Sequence, residues 1–261
     1  PNEHGLAADL EWTSDFPPYM EAHHLEYPGA RIATDSTRYD QAGQWHGWVE
    51  IAGERVQRES WWGARDHSWG VRPGVGGFEP GLGKASDRGG LFIWTCVSTA
   101  EFTLQFQLRE TSEGRRTYLD GQLDHGVRDG RPSVRVEAVT HDISFVPGTR
   151  AYDHASYLVT LANGETIQLE VEPFYRAWAY AGTGYDGGYD DRKGLGAYRG
   201  EVAEHDVYEL PDPETVVVDG QPGHAGHREQ PAHVLINGRA ALGHCPVMTW
   251  GRVDKYELGG S

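Results

Sequence analysis

The stretch Glu101-Phe102-Thr103-Leu104-Gln105-Phe106-Gln107-Leu108 decides the fold. Phe102, Leu104, Phe106 and Leu108 recur at every second residue with polar groups between them, the period of a half-buried antiparallel strand rather than a helix. The same alternation marks Trp45 to Ile51, Arg55 to Trp61, Ser133 to Val146, Ser156 to Leu161, Thr166 to Val171, Tyr198 to Leu210, Thr215 to Val218 and Val247 to Leu258. Ala52-Gly53, Asp129-Gly130, Asn163-Gly164 and Asn237-Gly238 fall between such segments, and this spacing predicts consecutive hairpins. No segment keeps a helical period over three turns. The chain therefore reads as an all-β sandwich or barrel. Closure into an antiparallel barrel would remove the exposed edges that so many strands present.

Composition narrows the function classes. With 261 residues the chain can bury a sizeable core, as one large β domain or two smaller units. No apolar run is long enough for a transmembrane helix, and Pro1-Asn2-Glu3-His4-Gly5 has neither the basic nor the apolar region of a signal peptide. A formal charge of −16, from 39 acidic against 23 basic residues, argues against nucleic acid and anionic lipid as partners. Cys96 and Cys245 are too few for a disulfide framework or a multi-thiolate zinc site. A single bridge between the two is the alternative to the simplest expectation, a reduced, cytoplasmic chain.

The richest chemistry lies in Trp61-Trp62-Gly63-Ala64-Arg65-Asp66-His67-Ser68-Trp69-Gly70-Val71-Arg72. Glycines break regular structure and buried charges need partners, so this mixture reads as an irregular pocket wall. In an apolar wall Asp66 could hold a proton near neutral pH, while a neighbouring arginine would keep it ionised. The competing structural roles for Asp66 are a cap on backbone amides or a pair with Arg65 or Arg72 that locks the loop. Asp124-His125 and Asp153-His154 read as ordinary strand neighbours pointing to opposite faces.

Three other signals fail on their spacing. Gly182-Thr183-Gly184-Tyr185-Asp186-Gly187 has dinucleotide-binding spacing, but no helical pattern follows, so a glycine-rich loop and no nucleotide cofactor are expected. His224, His227, His233 and His244 crowd near Cys245 without a recognised ligand spacing, so no metal is expected. No serine sits in a Gly-x-Ser-x-Gly elbow.

Gly63, Asp66, His67, Trp69 and Gly70, with the upstream Arg38-Tyr39-Asp40-Gln41 followed by Gly43 and Gly47, resemble the lipocalin-like superfamily that includes carotenoid 1,2-hydratase, also called hydroxyneurosporene synthase. The similarity is to its bacterial relatives of unassigned function and extends from Gly5 to about Glu172. It implies tandem calycin-like antiparallel β-barrels with the motif near their junction. Because 62 residues precede Gly63, the first barrel is expected to be incomplete, with residues 1–62 its C-terminal part and residues 63–261 a second barrel that begins at the motif.

The resemblance further implies a hydrophobic, unsaturated ligand of isoprenoid, steroid or polyketide type, held in a barrel. The chemistry it implies is hydration, dehydration or isomerisation at a C=C bond without a cofactor. A non-catalytic carrier and a Diels–Alder-type cyclase are the alternatives. In this reading Asp66 and His67 are the acid catalysts, and Tyr39, Gln41, Trp62, Trp69 and Arg72 bind the substrate. The partner is the small molecule, and a homodimer is compatible with it.

Overall fold

Alternation along the chain builds two sheets of different kinds. The computed structural model describes residues 5–27, 30–72, 89–175, 198, 200–201, 217–218, 221–222 and 229–259. The glycine-rich segment 182–187, most of the strand expected over 198–210, and His224 and His227 lie outside the described residues.

The first sheet contains β1 (Leu6–Thr13), β2 (Tyr19–Met20), β3 (His24–Glu26), β4 (Thr34–Ile51) and β5 (Glu54–Val71). β4 is its spine. β5 runs antiparallel along one edge, joined through Ala52-Gly53, while β1, β2 and β3 share the other edge in succession.

The second sheet is a closed antiparallel barrel of eight strands. β6 (Gly90–Ser98), β7 (Phe102–Thr111), β8 (Arg116–His125), β9 (Val134–Phe145), β10 (Tyr152–Leu161) and β11 (Thr166–Pro173) follow one another as hairpins. A short separate ladder pairs β12 (Val217–Val218) with β13 (Gln221–Pro222). β14 (Pro231–Ile236) then returns beside β11, and β15 (Arg239–His244) closes the ring by pairing with Cys96 to Ser98 of β6. β16 (Val247–Trp250) occupies the rest of that β6 edge, along Gly90 to Ile93.

The strand expected over Val247 to Leu258 stops at Trp250, because the backbone turns at Gly251 (φ 53°) and winds into a 3₁₀ turn over Asp254–Tyr256. Cys96 and Cys245 are both buried free thiols.

Inward-facing residues of the barrel form one apolar core. Leu104, Phe106 and Leu108 of β7 meet Leu91, Ile93 and Val97 of β6, Val159 of β10 and Leu169 of β11, and the Phe106 ring stands edge-on to Tyr157 at 5.7 Å. Side chains thus occupy the interior in which the sequence placed a ligand.

One end of that core is polar. Glu110, last of the inward series on β7, accepts from His141 Nε2 at 3.1 Å, and His141 Nδ1 lies 2.7 Å from the Tyr256 hydroxyl of the 3₁₀ turn. Lys255 donates to the His141 carbonyl. Burial alone would raise the Glu110 carboxyl, but the His141 hydrogen bond and the charges of His141, Arg116 and Lys255 together hold it below its ordinary value. A carboxylate held low stabilises the fold above its unfolded value near ~4.3, and that contribution is lost as pH falls through the folded value. Glu110→Gln should therefore lower the thermal midpoint at neutral pH by roughly 3–10 °C and make the acid limb shallower. Thermal melts between about pH 3 and pH 7 would show an unchanged acid limb if Glu110 were a bystander.

Candidate functional site

β4 and β5 are paired residue for residue, from Asp35 with Val71 to Trp45 with Trp61. The motif is therefore a paired strand of the first sheet rather than the expected irregular pocket wall, with one departure at Gly70, whose φ of 122° favours glycine. Glycine fits here because rings need the space. A Cβ on Gly63 would stand 2.6 Å from the Trp45 ring, and one on Gly43 would stand 2.5 Å from the Trp12 ring. The expected boundary between residues 62 and 63 falls inside β5, and the change of sheet falls between Val71 and Gly90.

Regular pairing sends alternate residues to opposite faces. Tyr39, Gln41, His67 and Trp69 lie on the face turned away from the barrel. There the His67 ring stacks near Tyr39 at 5.5 Å and Trp69 at 5.7 Å, and Trp69 is 49% exposed. Gln41 on that face is buried, donating to the Phe16 carbonyl and accepting from Arg65. Trp62, Asp66 and Arg72 lie on the other face, toward the barrel, and Trp62 Nε1 donates to Ser98 of β6 at 2.8 Å. Asp66 and His67 are thus adjacent in sequence but separated by the sheet, so they cannot act together on one molecule. The expected site residues divide into two groups.

The barrel-facing group meets a set of polar and ionisable residues for which the sequence predicts no catalytic role. Thr103, Gln105 and Gln107 of β7 and Asp120 and Asp124 of β8 are buried although they point out of the barrel, because the first sheet covers them. Glu21, in the link from β2 to β3, is fixed by its backbone N–H to the Arg38 carbonyl at 3.0 Å. Its carboxylate accepts from Gln107 Nε2 on one oxygen and faces His24 Nε2 at 3.2 Å on the other. Tyr19 donates to Asp120, which also accepts from the Ala22 N–H at 2.6 Å.

Asp40 of β4 is 1% exposed, and among the described residues neither of its oxygens meets an N–H or hydroxyl donor. A carboxylate so placed would be uncompensated, so the group keeps its proton. Burial, then the hydrogen bond to Glu21 and the charges of Glu21 and Asp66, push Asp40 up to about 10 against the pull of Arg38. Burial would also raise Glu21, but hydrogen bonds from His24 and Asp40 and the Arg38 charge bring it below its ordinary value. The two carboxyl groups thus hold one proton between them at neutral pH.

Asp66 lies 3.4 Å from the Arg38 guanidinium, and burial raises its carboxyl while Arg38 and Arg72 restrain it. The arginine paired with Asp66 is thus Arg38 of the neighbouring strand and not the expected Arg65, which donates to Gln41, or Arg72, which adds only its charge.

Beside these carboxyl groups a cavity of about 190 Å³ opens between sheet and barrel, lined by His24, Ser36, Arg38, Arg72, Gln107 and Arg109 among others. His24 and Gln107 belong both to the cavity wall and to the Glu21 hydrogen-bond set. Asp40, Glu21 and His24 thereby form a chain from a buried acid to the cavity surface.

Of the histidines considered for a metal, His233 packs on the Phe174 ring at 4.9 Å and His244 bonds to Glu229. Among the described residues no group of three His, Cys, Asp or Glu side chains is arranged to hold a metal ion, and no helix is long and apolar enough to cross a membrane.

No curated protein and no solved structure matches the chain. Residues 1–217 match a family of unknown function (DUF8625), and the chain belongs to that family.

Proposed function

We propose that the chain is a cofactor-independent acid–base catalyst that hydrates, dehydrates or isomerises a C=C bond in a small unsaturated molecule bound at the junction of sheet and barrel. The observation that carries this reading is the proton-sharing pair of Glu21 and Asp40, connected through His24 to the cavity wall. Such a chain can deliver a proton to an alkene carbon and take one back from attacking water. His24 is the catalytic residue, because it reaches the cavity, while Glu21 and Asp40 position it and set its proton supply. Asp66 acts as the partner of Arg38, and His67 lies across the sheet from this chemistry.

The resemblance to the lipocalin-like hydratase superfamily supports the same class of reaction. The half-buried Tyr39 ring and the exposed His67 and Trp69 rings favour a second reading, a carrier that holds an apolar ligand on the outer face of the sheet. Two buried free thiols fit work in a reducing cytoplasm.

Incubation with a panel of unsaturated terpenoids, steroids and polyketides in heavy-oxygen water and in deuterium oxide separates the two. A hydratase places the oxygen label in its product, an isomerase places deuterium at the former alkene, and a carrier returns the compound unchanged. His24→Gln should reduce turnover by about 10²–10⁴-fold with the circular dichroism spectrum preserved. Full turnover in that variant would remove the proposed relay.

A further inference from the structure

We infer that the junction cavity is built for an anionic group, a carboxylate or a phosphate, carried by the molecule that binds there. This names the substrate class of the site proposed above and rests on that reading for its catalytic meaning. The binding itself does not depend on turnover.

The inference starts from how the strands converge. Arg38 comes from β4, Arg72 from just beyond the end of β5 and Arg109 from β7, so both sheets direct guanidinium groups at one small space. Ser36, His24 and Gln107 add neutral or titratable hydrogen-bonding groups. No carboxylate is among the described residues that line the cavity. Three acids adjoin the lining without being part of it: Asp66 is 3.4 Å from Arg38, Glu26 is 3.8 Å from Arg109, and Glu21 accepts from Gln107 and faces His24.

Aromatic rings back two of the three cations. The Arg38 guanidinium lies 5.6 Å from the Trp94 ring, and that of Arg109 lies 5.2 Å from Phe92 and 5.8 Å from Tyr118. The rings hold the guanidinium planes by their quadrupoles and leave the nitrogen forks able to meet an oxyanion, which Arg binds in bidentate geometry.

A cationic ligand would be repelled by these three guanidinium groups, and a purely apolar one would offer them no acceptor. The formal charge of the whole chain is −16, so affinity for an anion has to come from these particular residues and not from a generally basic surface.

The test uses one five-carbon alkene skeleton with three headgroups: 3-methylbut-2-enoate, 3-methylbut-2-enyl phosphate and 3-methylbut-2-en-1-ol. Binding to the full chain is measured by calorimetry at low and high salt. An anionic probe should bind at least tenfold more tightly than the alcohol, and added salt should erode that preference. Arg109→Gln and Arg72→Gln should each weaken the anionic probe by about tenfold or more and leave the alcohol unchanged.

Preference for the carboxylate or for the phosphate identifies which oxyanion the site takes, and either supports the inference. Equal affinity for all three probes in the unaltered protein overturns it without recourse to any variant. Headgroup-dependent binding with no turnover of any compound would refute the catalytic reading alone.

Discussion

Asp40→Asn will make the protein more stable at alkaline pH while it disables the site. The folded chain keeps a proton on Asp40, pushed up to about 10, that the unfolded chain releases near ~3.9. A carboxyl group raised in the folded state makes that state the better proton binder throughout this window. Stability therefore declines as pH rises, at a limiting slope of about 1.4 kcal/mol per pH unit for one proton. Glu21, held low, opposes this only near its own unfolded value and contributes little further change above it.

An asparagine amide still donates to Glu21 but has no proton to lose, so the variant should be flatter in pH and more stable by about 1–4 kcal/mol near pH 8. Urea unfolding at about pH 5, 7 and 9 measures both slopes. The same slope in variant and parent would show that Asp40 does not hold the proton. Turnover should fall, and the pH–rate profile should change shape, because His24 would then be coupled to Glu21 alone.

Phe106→Ala should cost about 3–5 kcal/mol and lower the thermal midpoint by roughly 10 °C. Phe106 is 0% exposed at the centre of the barrel, edge-on to Tyr157 and packed over Gly121, where a Cβ would come within 2.6 Å of its own Cβ. Neither neighbour can close the gap without moving backbone. The void would be apolar, so benzene should bind the variant and restore part of the loss, whereas the parent barrel should not take it up. Gln105 and Gln107, on the opposite face of the same strand, remain in place, so the junction cavity should keep its ligand affinity. A variant of unchanged stability would mean that the barrel interior is not the packed core described above.

These two residues show what the period-two pattern can and cannot convey. Alternation over Glu101 to Leu108 correctly gives a strand with Phe106 inward, since hydrophobic positions report their own burial. The polar positions between them carry no mark to distinguish water from a second protein layer, and Gln105 and Gln107 are buried beneath the first sheet.

Asp66 and His67 misled for a related reason. Glycines amid tryptophans read as disorder of the backbone, whereas they clear space for the Trp12 and Trp45 rings across a continuous ladder. Tyr39 and Gln41 drew attention, and Asp40 between them is the buried acid. The register that pairs Tyr39 with His67 and Asp40 with Asp66 was the available clue, because it gathers the acids on one face and the rings on the other. Glu21 had no local signal at all. Its role exists only because Tyr19 and Met20 pair with Asp40 and Tyr39 and bring the adjoining residue over Gln107.

The divided edge of β6 sets the order in which the molecule can be assembled. On the edge of β6 opposite β7, Cys96 pairs with His244 and Gly90 with Trp250, so this edge stays open until nearly all of the described chain has been synthesised. Contacts of such long sequence separation are slow to form. During that interval the open edge of a largely apolar strand, Leu91 to Val97, paired with β7 on its other side, is a template for the wrong partner, including the same strand of another nascent molecule. The seam thus links a property of the finished barrel to a hazard of its birth, one that chaperone capture or a faster rate of translation near the end of the message would relieve.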